Sequence, residues 1–143
     1  MAKGKVDTKQ LDQLKKRFEK LSKIDQAAFY SKTLKEIAAR VLAKAIKRTP
    51  VGVYPPETGK MGGTLRRGWT VGSVIHEGSN YKIEVINPVE YAQYVEYGHR
   101  TRGHKGWVPG KFMLTIACQE VEQQAPAIIE RNLEKILREV FGS

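Results

Sequence analysis

The chain has 143 residues, a length that suits one domain with a modest hydrophobic core. Its 25 basic and 15 acidic residues give a formal net charge of +10, and most of the excess lies in residues 1–50, with 14 basic and 5 acidic residues. No apolar run approaches the roughly 18 residues that cross a bilayer, and the polar start lacks the apolar stretch of a signal peptide. We therefore expect a cytosolic protein when it is made, with no membrane contact.

Two helices are predicted before residue 50. The first begins near Thr8, and its apolar positions at helical spacing are Leu11, Leu14, Phe18 and Leu21. Ser22 and Asp25 are candidate caps for a longer second helix, whose apolar stripe runs from Tyr30 to Ile46. Thr49-Pro50 should end it, because proline has no N–H and disfavours helical geometry in the preceding residue.

The basic region at about residues 7–48 offers a surface that nucleic acid or an acidic protein could bind. The alternative is a solvated helix face, which is the usual role of such charge runs. The candidate phosphate contacts are Lys15, Lys16, Arg17, Lys20, Lys23, Arg40, Lys44, Lys47 and Arg48, together with Lys32 and Lys35.

Residues 50–64 are rich in proline and glycine and predict a flexible, exposed loop. Two runs beyond it alternate in character. The first is Trp69, Val71, Ser73 and Ile75 against Thr70, Gly72, Val74 and His76, and the second is Tyr81, Ile83 and Val85 against Lys82, Glu84 and Ile86. Such alternation predicts two strands, joined at residues 77–80 in a hairpin. An isolated hairpin is marginal in water, so we expect the second helix to cover it.

Residues 88–98 hold three of the six tyrosines and predict a short helix that ends at Gly98. Tyr91 and Tyr94 would share one face with Val95, whereas Tyr97 lies off it. The two tyrosines on that face would either contact other subunits or close the core beside Trp69. Tyr97 and Trp107 are the stronger candidates for contacts between subunits.

Residues 98–111 are polar, cationic and glycine-rich, which predicts a second flexible loop. A C-terminal helix should then begin near Lys111 or Phe112 and end near Gly142. Pro126 would either kink this helix or begin a separate final one. Cys118, the only cysteine, stands among apolar residues and predicts a buried thiol.

No motif predicts catalysis, a cofactor or a metal, so we expect no enzymatic activity. Gly59-Lys60 lacks the other residues of a phosphate-binding loop. His99 and His104 lie in a cationic loop without neighbouring cysteine or carboxylate ligands. Glu90 and Glu96 would point about 240° apart around a helix. Glu96 would pair with Arg100, Arg102 or an arginine of another subunit, or would be a solvated surface carboxylate.

Two groups of residues resemble a family of tailed-bacteriophage tail-component proteins, over about residue 30 to the C-terminus. Tyr91-Ala92, Val95-Glu96 and Gly98 are similar to the family's tyrosine segment, which is followed by a loop and an apolar triplet, here residues 112–114. The other matching residues are Thr49-Pro50-Val51, Thr58-Gly59 and Leu65-Arg66-Arg67. The family usually has a tighter link after Pro-Val, whereas this chain inserts residues 52–57.

The resemblance implies a structural virion protein, a neck or tail-completion component at the head-to-tail junction of long non-contractile tails. The two flexible loops, residues 50–64 and 98–111, and the uneven charge lead us to expect a homo-oligomeric ring. The loops would become ordered against neighbouring subunits or other neck, connector and tail proteins. The alternative function remains a sequence-nonspecific nucleic-acid-binding module.

We predict a single α+β domain over residues 1–143, with long N-terminal helices, a small antiparallel sheet, a short aromatic helix and a C-terminal helix packed on the sheet. The candidate interface residues are Tyr54, Tyr91, Tyr94, Glu96, Tyr97, Arg100, Arg102 and Trp107.

Overall fold

The computed structural model describes residues 9–52 and 55–142. Two helices come first, α1 (Lys9–Phe18) and α2 (Lys23–Arg48). Ser22 is the N-cap of α2, and its hydroxyl accepts a hydrogen bond from the Asp25 N–H at 3.1 Å. The helix ends where predicted, because Thr49 has extended backbone geometry ahead of Pro50.

Short elements make up the middle of the chain. A single turn of 3₁₀ helix (Pro56–Thr58) precedes helix α3 (Thr64–Arg67), which the sequence analysis did not predict. The strands that follow are β1 (Thr70–Val71), β2 (Ile75–Glu77), β3 (Asn80–Lys82) and β4 (Val85–Ile86). The chain then forms α4 (Ala92–Tyr97), β5 (Gly98–Arg100), β6 (Trp107–Pro109) and α5 (Met113–Phe141).

The predicted hairpin is present, and it contains a shift of register that was not predicted. At its base Val71 pairs with Val85, but nearer the tip Ile75 pairs with Lys82. Residues 72–74 therefore face only residues 83–84, which is one extra residue, as in a β-bulge. The extra residue reverses the alternation beyond it, so Ile75 is exposed and Val74 is half-buried. The prediction that Ile75 shares the inner face with Trp69 and Val71 is wrong.

Helix α2 covers the hairpin as predicted. The ring of Tyr81 stacks on Tyr30 of α2, with ring centres 4.7 Å apart, and His76 stacks on Tyr81 at 4.1 Å. His76 and Tyr81 are directly paired across β2 and β3, a position where side chains on one face interact most strongly. We call Tyr30, Tyr81 and His76 the ring stack.

The long helices α2 and α5 form the body of the molecule. They run antiparallel, since Arg40 bonds Gln124 whereas Asn132, further along α5, bonds Thr33, which is earlier in α2. One buried cluster lies between these helices and the hairpin base: Val41, Ala45, Leu65, Trp69, Met113, Ala117 and Val121. A second cluster joins α1 to both helices: Phe18, Leu21, Phe29, Leu133 and Leu137. The side chains of Leu11 and Leu14 lie outside the described part.

Helix α5 settles two points about the C-terminal region. It is one continuous helix that contains Pro126 and ends at Gly142, which has left-handed geometry.

The prediction of a buried Cys118 is wrong, because its side chain is exposed. Buried positions recur every four residues at Met113, Ala117 and Val121, and Cys118 is one position round the helix from that stripe. Partial desolvation, and then the nearby carboxylates of Glu96 and Glu122, raise the pKa of its thiol.

The α+β class is confirmed. Residues 98–111 differ from the expected loop, since β5 and β6 pair as an antiparallel hairpin in which His99 faces Val108. The composition of this segment concealed its strands, because glycine and charged residues are uncommon in strands.

Candidate functional site

Four exposed aromatic side chains lie on three neighbouring elements, α4, the β5–β6 hairpin and the residue that precedes α5. Tyr94, Tyr97 and Trp107 each expose about 60% of their area, at 60%, 62% and 60%, and Phe112 exposes 41%. Tyr97 and Phe112 contact edge to face with ring centres 6.4 Å apart. We call these four residues the aromatic surface. Exposed aromatic clusters mark interaction sites, because such rings bring large contact area at low conformational cost.

Two glycines fix the position of the β5–β6 hairpin against α4. Gly98 has φ +89°, and a Cβ there would lie 2.6 Å from the Val108 carbonyl oxygen and 2.9 Å from the Trp107 ring. A Cβ on Gly110 would lie 2.4 Å from the Glu96 carbonyl oxygen. The strands can therefore approach the end of α4 this closely only because both positions lack a side chain. Gly98 ends the short helix as predicted, with positive φ but an extended ψ of 172°.

Glu96 joins α4 to α5. Its side chain is buried, with 7% exposed, and its two carboxylate oxygens accept hydrogen bonds from the backbone N–H groups of Leu114 and Thr115, both at 2.9 Å. The Thr115 hydroxyl donates a third at 2.7 Å. A carboxylate in this position satisfies otherwise unpaired N–H groups and interacts favourably with the positive end of the helix dipole.

This arrangement corrects two expectations for Glu96, a pairing with Arg100 or Arg102 and a solvated surface carboxylate. Both arginines are exposed, and neither bonds Glu96 in the described part of the chain. The backbone strengthens the same joint, because the N–H of Lys111 donates to the Val95 carbonyl at 2.7 Å and that of Phe112 to the Glu96 carbonyl at 3.0 Å. The aromatic surface is thus built on a rigid support.

Tyr91 stands apart from the aromatic surface and lines a cleft between α4 and the proline-rich segment. It is 43% exposed and Tyr94 is 60% exposed, so of the two alternatives for these tyrosines the structure excludes closure of the core beside Trp69. Residues 50–52 and 61–65 form the other walls. The two arms of this segment touch, because a Cβ on Gly62 would lie 1.8 Å from the Gly52 carbonyl oxygen. Tyr54, a predicted interface residue, lies outside the described residues.

The basic residues divide into two groups. Lys15, Lys16, Arg17, Lys20 and Lys23 are exposed and form no ion pair within the described part of the chain. Three cations of α2 instead bind α5. Arg40 donates to Gln124 at 3.1 Å, Lys44 to Glu120 at 2.9 Å, and Arg48 pairs with the same glutamate. These three predicted nucleic-acid contacts hold the helices together, whereas Lys32, Lys35 and Lys47 are exposed.

Among residues 9–52 and 55–142, no group of three histidine, cysteine, aspartate or glutamate side chains is placed to hold a metal ion. Gly59 ends the 3₁₀ turn in left-handed geometry. No helix in that part of the chain is long and apolar enough to span a membrane.

A family model described as "Bacteriophage HK97-gp10, putative tail-component" matches residues 12–98 of the chain. The match covers more than half of the sequence and includes α2, the hairpin and the tyrosine segment as far as Gly98. The chain belongs to this family. The match begins earlier than the motifs that the sequence analysis used, and residues 112–114 lie beyond its end.

A phage tail component is part of the virion and acts together with other tail proteins. The family therefore supports the predicted virion location and the predicted binding of other tail proteins. Separate comparisons with curated proteins and with solved structures found no match.

Sequence reasoning missed Phe112 as part of the aromatic surface and Glu96 as the cap of α5. In the sequence, Phe112 was considered only as a possible first residue of the C-terminal helix. In the structure it precedes α5 and has a positive φ of 48°, which turns the chain into that helix. The sequence signal for the cap was weak, because 17 residues separate Glu96 from Leu114 and only the intervening hairpin brings them together.

Proposed function

We propose that this tail-component protein is a neck or tail-completion subunit that assembles at the head-to-tail junction, and that binding is its whole activity. The observation that carries the proposal is the aromatic surface, which is solvent-exposed but held on a rigid joint. Preorganised aromatic groups bind at low entropic cost, whereas a mobile loop must first be ordered. Assembly takes place in the host cytoplasm, and the finished protein is part of the virion neck.

The subunits form a closed ring of identical copies. A ring needs head-to-tail contacts, in which one face of a subunit meets a different face of the next. The aromatic surface supplies one face, with Arg100 and Arg102 at its margins, and Tyr91 contributes from the separate cleft that it lines. Other neck, connector and tail proteins then bind the ring above and below.

The position in the virion is tested by electron microscopy of phage particles with an antibody against this protein. Label at the junction of head and tail supports the proposal, and label confined to the distal tail or absent from the neck rejects it. The role of the aromatic surface is tested in solution by replacing Tyr97 and Trp107 together with alanine.

We expect that double variant to remain folded by circular dichroism but to lose self-association in sedimentation experiments, because aromatic anchors dominate interface energetics. Phe141→Ala is the matched control, since Phe141 is an exposed aromatic at the far end of α5, 48% exposed. Equal association of all three proteins would contradict a role for the aromatic surface.

A second function, sequence-nonspecific contact with nucleic acid, is supported by the exposed cations of α1 and by Lys20 and Lys23. Such contacts release counterions, so DNA affinity should fall steeply as salt rises. Both functions are compatible, because DNA passes through the neck. Charge reversal of Lys16, Lys20 and Lys23 should remove DNA binding, while the same change at Lys135 of α5 should have little effect. A salt-independent affinity would exclude this function.

We also propose that the protein makes and breaks no covalent bond. Incubation with DNA and divalent metal ions tests this, and cleavage that co-purifies with the folded protein would overturn it.

A further inference from the structure

A cationic cleft lies beside the aromatic surface, between the C-terminal end of α2 and the first half of α5. Lys44, Lys47, Arg48, Lys111 and Glu120 line it, around a cavity of about 440 Å³. Four cations thus surround one carboxylate, which leaves an excess of three positive charges. A concave site with an excess of one sign of charge concentrates oppositely charged groups from solution.

Both oxygens of the Glu120 carboxylate already bind cations of α2. Lys44 donates to one of its oxygens at 2.9 Å and Arg48 pairs with the other, and the hydrogen bond from Lys44, followed by that from Arg48, lowers the pKa of Glu120. Lys47 and Lys111 are exposed, and neither pairs with a carboxylate in the described part of the chain. Two cations of the cleft therefore remain able to bind an external anion.

Lys111, which lines the cleft, directly precedes Phe112 of the aromatic surface, and the backbone N–H groups of both residues bond to α4. The cleft and the aromatic surface therefore adjoin at these two residues. Exposed rings beside the cleft suit a protein partner, because aromatic side chains are enriched at protein interfaces. Contacts to DNA phosphates alone need no apolar neighbour.

We propose that the cleft binds acidic side chains of a protein partner, in a segment whose apolar residues pack on the aromatic surface. The inference rests on the proposed function as a binding subunit and adds the chemistry of the partner. Carboxylates would bind Lys47 and Lys111, while leucine or aromatic side chains of the same segment would contact Tyr97 and Phe112. The two halves together select an acidic and apolar sequence over one that is only acidic.

The test measures binding of two labelled probes by fluorescence anisotropy at low salt. One probe is a synthetic peptide of alternating glutamate and leucine, and the other is a short DNA duplex. The cleft variant carries Lys47→Glu and Lys111→Glu. The matched control carries Lys32→Glu and Lys35→Glu, which make the same change of net charge at exposed positions of α2 outside the cleft.

We expect the cleft variant to bind the peptide at least about tenfold more weakly than the unmodified protein, because like charges then face the ligand, and the control to change little. Three outcomes would overturn the proposal: no peptide binding by the unmodified protein, equal losses in both variants, or loss of DNA binding with peptide binding retained. Circular dichroism of each variant establishes that it is folded.

The experiment separates this inference from the proposed function. Self-association of the Tyr97 and Trp107 double variant tests the aromatic surface alone, whereas charge reversal at Lys47 and Lys111 tests the cleft alone. If the unmodified protein binds neither probe, the cleft proposal is rejected, whereas the proposed ring through the aromatic surface is not.

Discussion

At the scale of single residues, buried polar side chains define the joints between elements. Thr49, with 1% of its area exposed, stands at the end of α2. Its hydroxyl donates to the Ala45 carbonyl and accepts from the Trp69 indole N–H, both at 2.6 Å. The Thr49 carbonyl also accepts from Arg66 at 2.8 Å. One threonine thereby ties the end of α2 to α3 and to the first residue before the hairpin.

Replacing Thr49 with valine keeps the volume of the side chain but leaves the indole N–H of Trp69 buried without an acceptor. We expect the free energy of unfolding to fall by about 1–3 kcal/mol, the cost of an unsatisfied buried group. Urea unfolding followed by tryptophan fluorescence measures the change. Thr70→Val is the control, since Thr70 is exposed. Equal effects of the two substitutions would show that the hydrogen bond to Trp69 contributes nothing.

Glu96→Gln should weaken the joint between α4 and α5. The amide has no negative charge at the helix N-terminus, and its NH₂ group would face a backbone N–H that also needs an acceptor. We expect a loss of about 2 kcal/mol in the free energy of unfolding. Urea unfolding of Glu90→Gln, an exposed neighbour, should differ little from the unmodified protein. The inference fails if Glu96→Gln behaves like that control.

The sequence indicated which residues of the aromatic segment are candidates for subunit contacts but not what each one contacts within the chain. The tyrosines were recognised from their spacing, and their exposure was left open between two alternatives. Glu96 was assigned partners in the adjacent loop, because sequence reasoning favours near neighbours. Its real partners belong to α5, and only the folded β5–β6 hairpin brings that helix to it.

At the scale of elements, close backbone approach decides how the aromatic surface is presented. The β5–β6 hairpin crosses the end of α4 at Gly98 and Gly110, where a side chain has no room. The addition of one methyl group at either glycine would therefore push the hairpin away from the helix.

Gly110→Ala should force the hairpin away from α4, since its Cβ would meet backbone atoms that cannot rotate aside. We expect a loss of about 1–3 kcal/mol, as for other overpacked sites, and an altered Trp107 environment in fluorescence. Gly103→Ala is the control, because a Cβ there would have no atom within 4 Å. An unchanged unfolding curve for Gly110→Ala would show that the crossing is looser than described.

Element prediction succeeded where a periodic pattern was long. The apolar stripes of α2 and α5 extend over many turns, and their end signals at Ser22 and Gly142 are specific. The hairpin was found, but its register was not, because residues 69–76 alternate without interruption and nothing in them marks the extra residue. Burial against α2 decides the register, and that is a tertiary property.

At the scale of the whole molecule, carboxylates on both long helices bind groups of the opposite helix. Glu36 of α2 accepts from Asn132 at 2.9 Å and pairs with Arg131. The hydrogen bond from Asn132, and then the charge of Arg131, lower the pKa of Glu36. Hydrogen bonds from Lys44 and then from Arg48 lower the pKa of Glu120 of α5 in the same way.

These shifts predict that the protein loses stability in acid. A carboxyl group with a lowered pKa in the folded state stabilises the fold fully above its ordinary pKa of 4.5, and the contribution disappears as the pH falls through the lowered value. The free energy of unfolding should therefore decrease below about pH 4.5, less so at high salt, because both carboxylates are partly exposed.

Urea unfolding at several pH values measures this dependence. The double variant with Glu36→Gln and Glu120→Gln should be less stable at neutral pH and should show a shallower loss in acid. Identical pH dependence in the double variant and in the unmodified protein would assign the acid sensitivity to other groups.

The fold class and the longest elements followed from the sequence, whereas the contacts that join the two long helices did not. Arg40, Lys44 and Arg48 were interpreted as phosphate contacts, because their charges were visible and their partners on α5 were not. A cation that reaches across to a distant helix is indistinguishable in sequence from one that faces solvent.

Because Cys118 is exposed, its thiol can be labelled to count the copies of the chain in an assembly. Every copy of the chain contributes one surface thiol and no other, so a maleimide tag adds one fixed mass increment per subunit. Because the raised pKa leaves little thiolate at neutral pH, labelling should proceed best under mildly alkaline conditions. Native mass spectrometry of the tagged assembly would then yield the number of subunits directly.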